Sequence, residues 1–181
     1  MTLFQQQLVN WAVYICNDNT YYYYYRGSED WRVPPHFDCA TFCSYVIYQA
    51  AGWNDWYDRG YYWPHISDPG YDSFLLNNGW QKFGYSDSYL TEGAIIIMDE
   101  TYGHTFMYIG NGQIADANDY FGHGDNSIAV RSLDTYPRGH FAYIYLPPDV
   151  TPGPGPGPGP GPGPGPAKRY CPRTRRQRHN I

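Results

Sequence analysis

The sequence predicts an α+β domain, with helices first and a mostly antiparallel sheet of about five strands afterwards. Three observations carry that prediction. Two amphipathic helical patterns fill most of the first fifty-two residues. Five short apolar segments follow between positions 93 and 146, each bounded by Gly, Asn, Asp or Pro. At Pro152 all such patterning stops.

Thr2 followed by Gln5 fits a capping box, and Leu3, Phe4, Leu8, Trp11, Ala12 and Ile15 then recur at helical spacing. This predicts a first helix to about Cys16. A polar, tyrosine-rich loop, "NDNTYYYYYRGSEDWRVPPHF", separates it from a second helix. That helix takes Asp38 as its N-cap and ends at Gly52, a natural left-handed stop. Residues 53–80 are aromatic and turn-rich, with one short helix expected around Ser73 to Asn77. The segments "GAIIIMD", "HTFMYIG", "QIADAN", "SIAVRSL" and "HFAYIYL" are the expected strands.

The domain so defined is residues 1–150. "PGPGPGPGPGPGPGP" forms neither helix nor sheet, because every second residue lacks an amide donor and the others are glycines. Residues 151–166 are therefore a spacer, at most about 45 Å long when extended. Residues 167–181 form a short tail, too short for a core and expected to be disordered.

Charge separates these parts. All 17 acidic residues lie at or before Asp149 with six basic ones, whereas the last fifteen residues hold six Lys and Arg and no acid. An acidic body argues against nucleic acid as the partner of the folded domain. No stretch approaches the roughly 18 apolar residues of a membrane helix. The first residues lack a basic start and a long apolar run, so no signal peptide is expected. A monomer, made in a cytoplasm and released by another agent if it acts outside, is the expectation.

Twenty-one tyrosines and six tryptophans suit surfaces built for stacking and hydroxyl hydrogen bonds. The four cysteines, at 16, 39, 43 and 171, make no CxxC pair and no disulfide framework. Cys16 and Cys43 read as core residues, and Cys171 lies in the tail with no visible role. Cys39 sits at a helix start, where unpaired amides and the helix dipole favour a thiolate. Asp38 beside it opposes that effect, so a nearby imidazolium is needed to complete activation. His36, Cys39 and Cys43 could also suggest a metal, but their spacing is unlike common zinc patterns and no fourth ligand is evident.

Among the six histidines His104 is the best placed, since it follows Gly103 and opens an apolar strand. Its orienting partner depends on hairpin register. A two-residue Asn111-Gly112 turn points His104 and Asp116 to opposite sides of the sheet. A three-residue loop, Gly110 to Gly112, instead sets Asp116 opposite Phe106 and diagonal to His104, about 7 Å away on its face. There Asp116 can accept the Nδ1 proton, and Asn118, directly opposite His104, is the rival. Spacing alone does not choose between them.

"FDCATFCSYVIYQAAG" followed by "GHTFMYIGNGQIADAN" resembles the NlpC-type cell-wall cysteine peptidases of the papain-like group. Those show Asp-Cys-Ser-Gly-Phe at a helix start, Gly-His on a strand, and a polar residue twelve positions after the histidine. The resemblance covers roughly residues 1–148, with Ala40 and Thr41 standing where the family has Ser and Gly. It implies a papain-like core, Cys39 as nucleophile, His104 as base and Asp116 as orienter, with no cofactor. It also implies bacterial peptidoglycan peptide as substrate. The aromatic segment from Trp53 to Trp63 either walls the cleft or packs an irregular loop, and Asp38, Trp53 and Trp56 are the expected substrate contacts. "NDNTYYYYYRG" is similar to phage-encoded members and suggests an endolysin. The competing expectation is a non-catalytic wall-binding protein that uses its aromatic surface.

Overall fold

The computed structural model describes residues 1–23, 36–53, 69–118 and 128–149. Trp56, most of the tyrosine-rich loop, the Pro-Gly spacer and the basic tail lie outside them. Three helices, α1 (Leu3–Asn17), α2 (Cys39–Ala50) and α3 (Pro69–Asn77), precede most of the sheet. Two-residue strands β1 (Tyr22–Tyr23) and β2 (His36–Phe37) form a small parallel pair leading into α2. The main sheet contains β3 (Gln81–Gly84), β4 (Ile95–Met98), β5 (Thr105–Gly110), β6 (Gln113–Ala117), β7 (Ile128–Ser132) and β8 (Phe141–Leu146). Its order is β3-β8-β4-β5-β6-β7, with antiparallel neighbours throughout.

The helix ends follow the sequence signals. Thr2 caps α1 in a full capping box with Gln5, and Gln5 Nε2 also reaches Thr91 Oγ1 and the Glu92 carbonyl. That one side chain therefore starts the helix and ties it to the turn before β4. Gly52, at φ 67°, takes the left-handed conformation that ends α2. The third helix begins earlier than expected, at Pro69, whose fixed φ suits a first helical turn.

Alternation along the strands divides the core in two. Ile95, Ile97, Met107, Ala115, Ala117 and Ile128 meet Leu8, Ala12 and Ile15 of α1 and Phe42, Cys43, Val46 and Ile47 of α2. Their alternates, among them Ile96, Phe106, Ile114 and Ile144, gather with Leu133, Tyr136 and Phe141 in a second cluster. Each fully buried Leu, Ile or Phe contributes about 2 kcal/mol. Both faces of the central strands are thus closed, one by helices and the other by the chain between β7 and β8.

Among the described residues the main sheet has six strands, where about five were anticipated. The extra one, β3, pairs only with β8, and its sequence "QKFG" carries no alternating apolar pattern. Lys82 on this edge pairs with Asp72 at 3.0 Å and lies over the Tyr143 ring, which ties the edge to α3 and β8. Among the described residues no helix is long and apolar enough to cross a membrane.

The β5–β6 hairpin combines features of both loops considered from sequence. Gly110 pairs with Gln113 across a two-residue turn at Asn111 and Gly112, where φ is 52° and 69°. Beyond it the register shifts, so that Tyr108 pairs with Ile114 and Met107 with Ala115. Ile109 is the extra residue of a bulge. Continuing the shifted register sets Phe106 opposite Asp116 and His104 opposite Asn118. The bulge restores the register of a three-residue loop, and with it the shared face of His104 and Asp116.

Candidate active site

The first turn of α2 is fixed before any chemistry begins. Asp38 adopts an extended N-cap conformation, and its Oδ1 accepts from the Thr41 amide at 2.8 Å and the Thr41 hydroxyl at 2.9 Å. The Thr41 hydroxyl in turn accepts from the Asp38 amide at 2.8 Å. A threonine three residues after the cap thus closes a reciprocal box that a glycine there would leave open. Asp38 is buried, with Oδ1 engaged in the cap.

Cys39 is the first residue of the helix and is half-buried. Burial pushes its thiol up to about 12, and the Asp38 charge adds to the rise. The Thr105 and Ala40 amides oppose the shift. The sequence expectation of a depressed value at a helix start is therefore corrected: burial and the adjacent carboxylate outweigh the N-terminal amides. Near neutral pH the group is a thiol, so its use as a nucleophile requires a base to receive the proton. The Thr105 amide also fixes location, because it brings Cys39 to the mouth of β5, one residue from His104.

His104 is 7% exposed, and its carbonyl accepts from the Met98 amide at 2.9 Å, which anchors the strand mouth to β4. Its Nε2 lies 3.2 Å from Asp116 Oδ2 and 3.1 Å from the Tyr136 hydroxyl. Asp116 is fully buried. Its Oδ2 also accepts from the Tyr136 hydroxyl, and its Oδ1 accepts from Arg131 Nη1. The carboxylate thus acts as an acceptor at both oxygens, at one of them toward a guanidinium. It faces Nε2, so the neutral ring carries its proton there and Nδ1 is the basic nitrogen. This corrects the expectation that Asp116 takes the Nδ1 proton.

The rival Asn118 also has a defined place: its Nδ2 donates to the Tyr136 hydroxyl at 2.7 Å. The structure therefore brings His104, Asp116, Asn118, Tyr136 and Arg131 into one network, with Cys39 beside the strand that carries His104. The arrangement thus sets a half-buried thiol near an imidazole whose Nε2 faces a carboxylate, with a guanidinium on the other carboxylate oxygen.

No family model matches the sequence, and no curated protein matches it. Solved structures do match its shape. One is the NlpC/p60 domain of the peptidoglycan hydrolase SagA, at 19% identity and a TM-score of 0.50 over 78% of this chain and 97% of that one. Another is a protein from Staphylococcus aureus described as similar to lipoprotein, NLP/P60 family, at 17% identity and a TM-score of 0.51. The chain has the NlpC/p60 fold. The match covers 81% of this chain and 42% of the staphylococcal protein, so the shared unit is the domain.

Within the NlpC/p60 fold the expected substrate contacts have separate places. Asp38 serves the helix cap described above. Trp53 is partly buried against the helix-side core, edge-on to Tyr48 at 5.7 Å between centroids. Trp56 lies outside the described residues. Among the described residues, no group of three or more His, Cys, Asp or Glu side chains could hold a metal ion.

Sequence reasoning missed Tyr136 and Arg131. Arg131 did leave a signal, as the one charged residue in the apolar strand "SIAVRSL". Tyr136 left none, because one more tyrosine among twenty-one does not stand out.

The three thiols of α1 and α2 predict the alkaline limit of the fold. Cys16 and Cys39 are raised from 9.0 to about 12, burial being the first cause for both, and Cys43 is raised as well. Groups whose folded values exceed their unfolded ones stabilise the native state fully below the unfolded value, and that stability is lost as pH rises through the folded one. Tm is expected to be insensitive to these groups up to about pH 9 and to fall steadily toward pH 12. Thermal melts across that range check it, and a Tm rising above pH 9 would contradict it.

Proposed function

We propose that this domain hydrolyses an amide bond in the peptide part of bacterial peptidoglycan by cysteine nucleophilic catalysis. The observation that carries the reading is the hydrogen bond between His104 Nε2 and buried Asp116, at the strand mouth where Cys39 begins α2. The substrate class is taken from SagA, whose domain shares the fold and is that of a peptidoglycan hydrolase.

The proposed steps follow from the protonation states. Cys39 sulfur attacks the carbonyl carbon as its proton passes to His104 Nδ1, and the Cys39 amide at the open helix end donates to the developing oxyanion. The imidazolium then protonates the leaving amine as the C–N bond breaks, leaving a thioester. Water, losing its proton to Nδ1, cleaves the thioester and restores the thiol. Asp116 fixes the tautomer and stabilises the imidazolium.

The scissile bond lies within the stem peptide or between muramic acid and L-alanine. Lysis of a host cell by a phage is the proposed setting, on the tyrosine-rich sequence before the cysteine. Mass spectrometry of fragments released from defined peptidoglycans tests the activity and names the bond. New amino termini within the stem indicate an endopeptidase, and free lactyl ends with intact stems an amidase. Binding to walls without any released fragment would overturn the hydrolase in favour of a wall-binding protein.

A further inference from the structure

His104 and Asp116 are held by more than each other. The Tyr136 hydroxyl lies 3.1 Å from Nε2 and donates to the same Asp116 oxygen that the ring faces. Its own oxygen accepts from Asn118 Nδ2. The ring of Tyr136 stacks on Phe106 at 5.0 Å and 10°, and both rings lie against His104. With its proton committed to Asp116, the hydroxyl offers Nε2–H a second acceptor. An imidazole turned over, with a bare Nε2, would face a carboxylate and a phenol oxygen that can give it nothing. Arg131, from the far side, binds the other carboxylate oxygen.

Resting on the hydrolase reading above, we propose that Tyr136 and Arg131 are positioning residues for the catalytic histidine. Tyr136 locks the tautomer that leaves Nδ1 free to accept the thiol proton. Arg131 sets how much of the Asp116 charge the ring experiences. Among the described residues, the titratable groups facing this network include Cys39 and Cys43 of α2, with Asp38 beside Cys39, and Cys16 of α1. The device places the counter-charge of the carboxylate on β7, on the oxygen that the imidazole does not face.

The test uses the full chain labelled with ¹⁵N-histidine, the His104 signals being assigned by their loss in His104→Gln. Wild type should show a single Nε2–H tautomer when neutral. Tyr136→Phe keeps the ring stack and removes only the hydroxyl. It should give mixed tautomers and lower kcat by on the order of 10-fold or more, with KM unchanged. Arg131→Gln should raise the pH at which His104 titrates, because Asp116 then acts uncompensated, and should move the acid limb of activity the same way. Arg131→Lys should restore most of the wild-type titration, and it decides the matter should the Gln variant fail to fold. A Tyr136→Phe protein with an unchanged tautomer and kcat, or a titration unmoved by both Arg131 variants, would overturn the assignment. The NMR readouts need no substrate. A wild type that cleaves no wall peptide yet shows these shifts would overturn the hydrolase reading and retain the network.

Discussion

Cys39→Ser is expected to abolish release of peptide fragments from purified cell walls, a loss on the order of 10⁴-fold or more. The reason is electronic, because the variant exchanges one second-row atom for a first-row one at a half-buried position and leaves the Asp38–Thr41 cap untouched. A serine hydroxyl is a far weaker acid than a thiol, and this site already resists forming the anion of even the thiol, which burial raises to about 12. His104 would have to remove a much less acidic proton in the same surroundings. Cys16→Ser and Cys43→Ala are the controls. Cys16 lies on α1, half-buried, and Cys43 is a fully buried core residue one turn beyond Cys39. Both should keep most activity, with Cys43→Ala costing about 1 kcal/mol of stability for the lost packing. Fragment release by Cys39→Ser at even a tenth of the wild-type rate, with an unchanged near-ultraviolet spectrum, would remove Cys39 from the mechanism.

The legible parts of this protein were those whose signals are local. Caps at Thr2 and Asp38 and the left-handed Gly52 mark their helices within a residue or two. Strand alternation pairs His104 with Asp116 once the hairpin register is known. The register itself was only half legible, because a bulge at Ile109 lets a two-residue turn produce the offset of a three-residue loop. Long-range and solvation effects were not legible. Arg131 and Tyr136 lie 15 and 20 positions from Asp116, across connections whose lengths set no register. Which imidazole nitrogen faces the carboxylate depends on which side of the ring the β6–β7 ladder presents. The thiol of Cys39 shows the same limit, since a helix start can be read from neighbours in sequence but burial cannot. β3 went unrecognised for a related reason: an edge strand with one paired side needs little apolar pattern of its own.

Asp116→Asn is expected to lower fragment release by on the order of 10²-fold or more while also destabilising the fold. Were Asp116 to serve only the imidazole, its loss would spare stability. The structure places it fully buried between Arg131, Tyr136 and His104, so its charge also compensates a guanidinium whose side chain is 10% exposed. An amide cannot neutralise that guanidinium, and breaking one half of a buried ion pair costs about 3–5 kcal/mol. The amide also presents both a donor and an acceptor, so the ring is no longer held with its proton on Nε2. Some molecules would then carry it on Nδ1, where no proton from Cys39 can be accepted. Activity and thermal melts separate the two effects when rates are read well below the lowered Tm. Asn118→Ala should be milder on both counts, because it removes a donor to the Tyr136 hydroxyl and leaves the Asp116 contacts to His104 and Arg131 in place. An Asp116→Asn protein that melts lower but retains full turnover would make Asp116 a structural counter-ion to Arg131 and leave His104 oriented by Tyr136. The reverse, full stability with lost turnover, would mean that the other contacts of Arg131 suffice to hold it and that the Asp116 charge matters only to the imidazole.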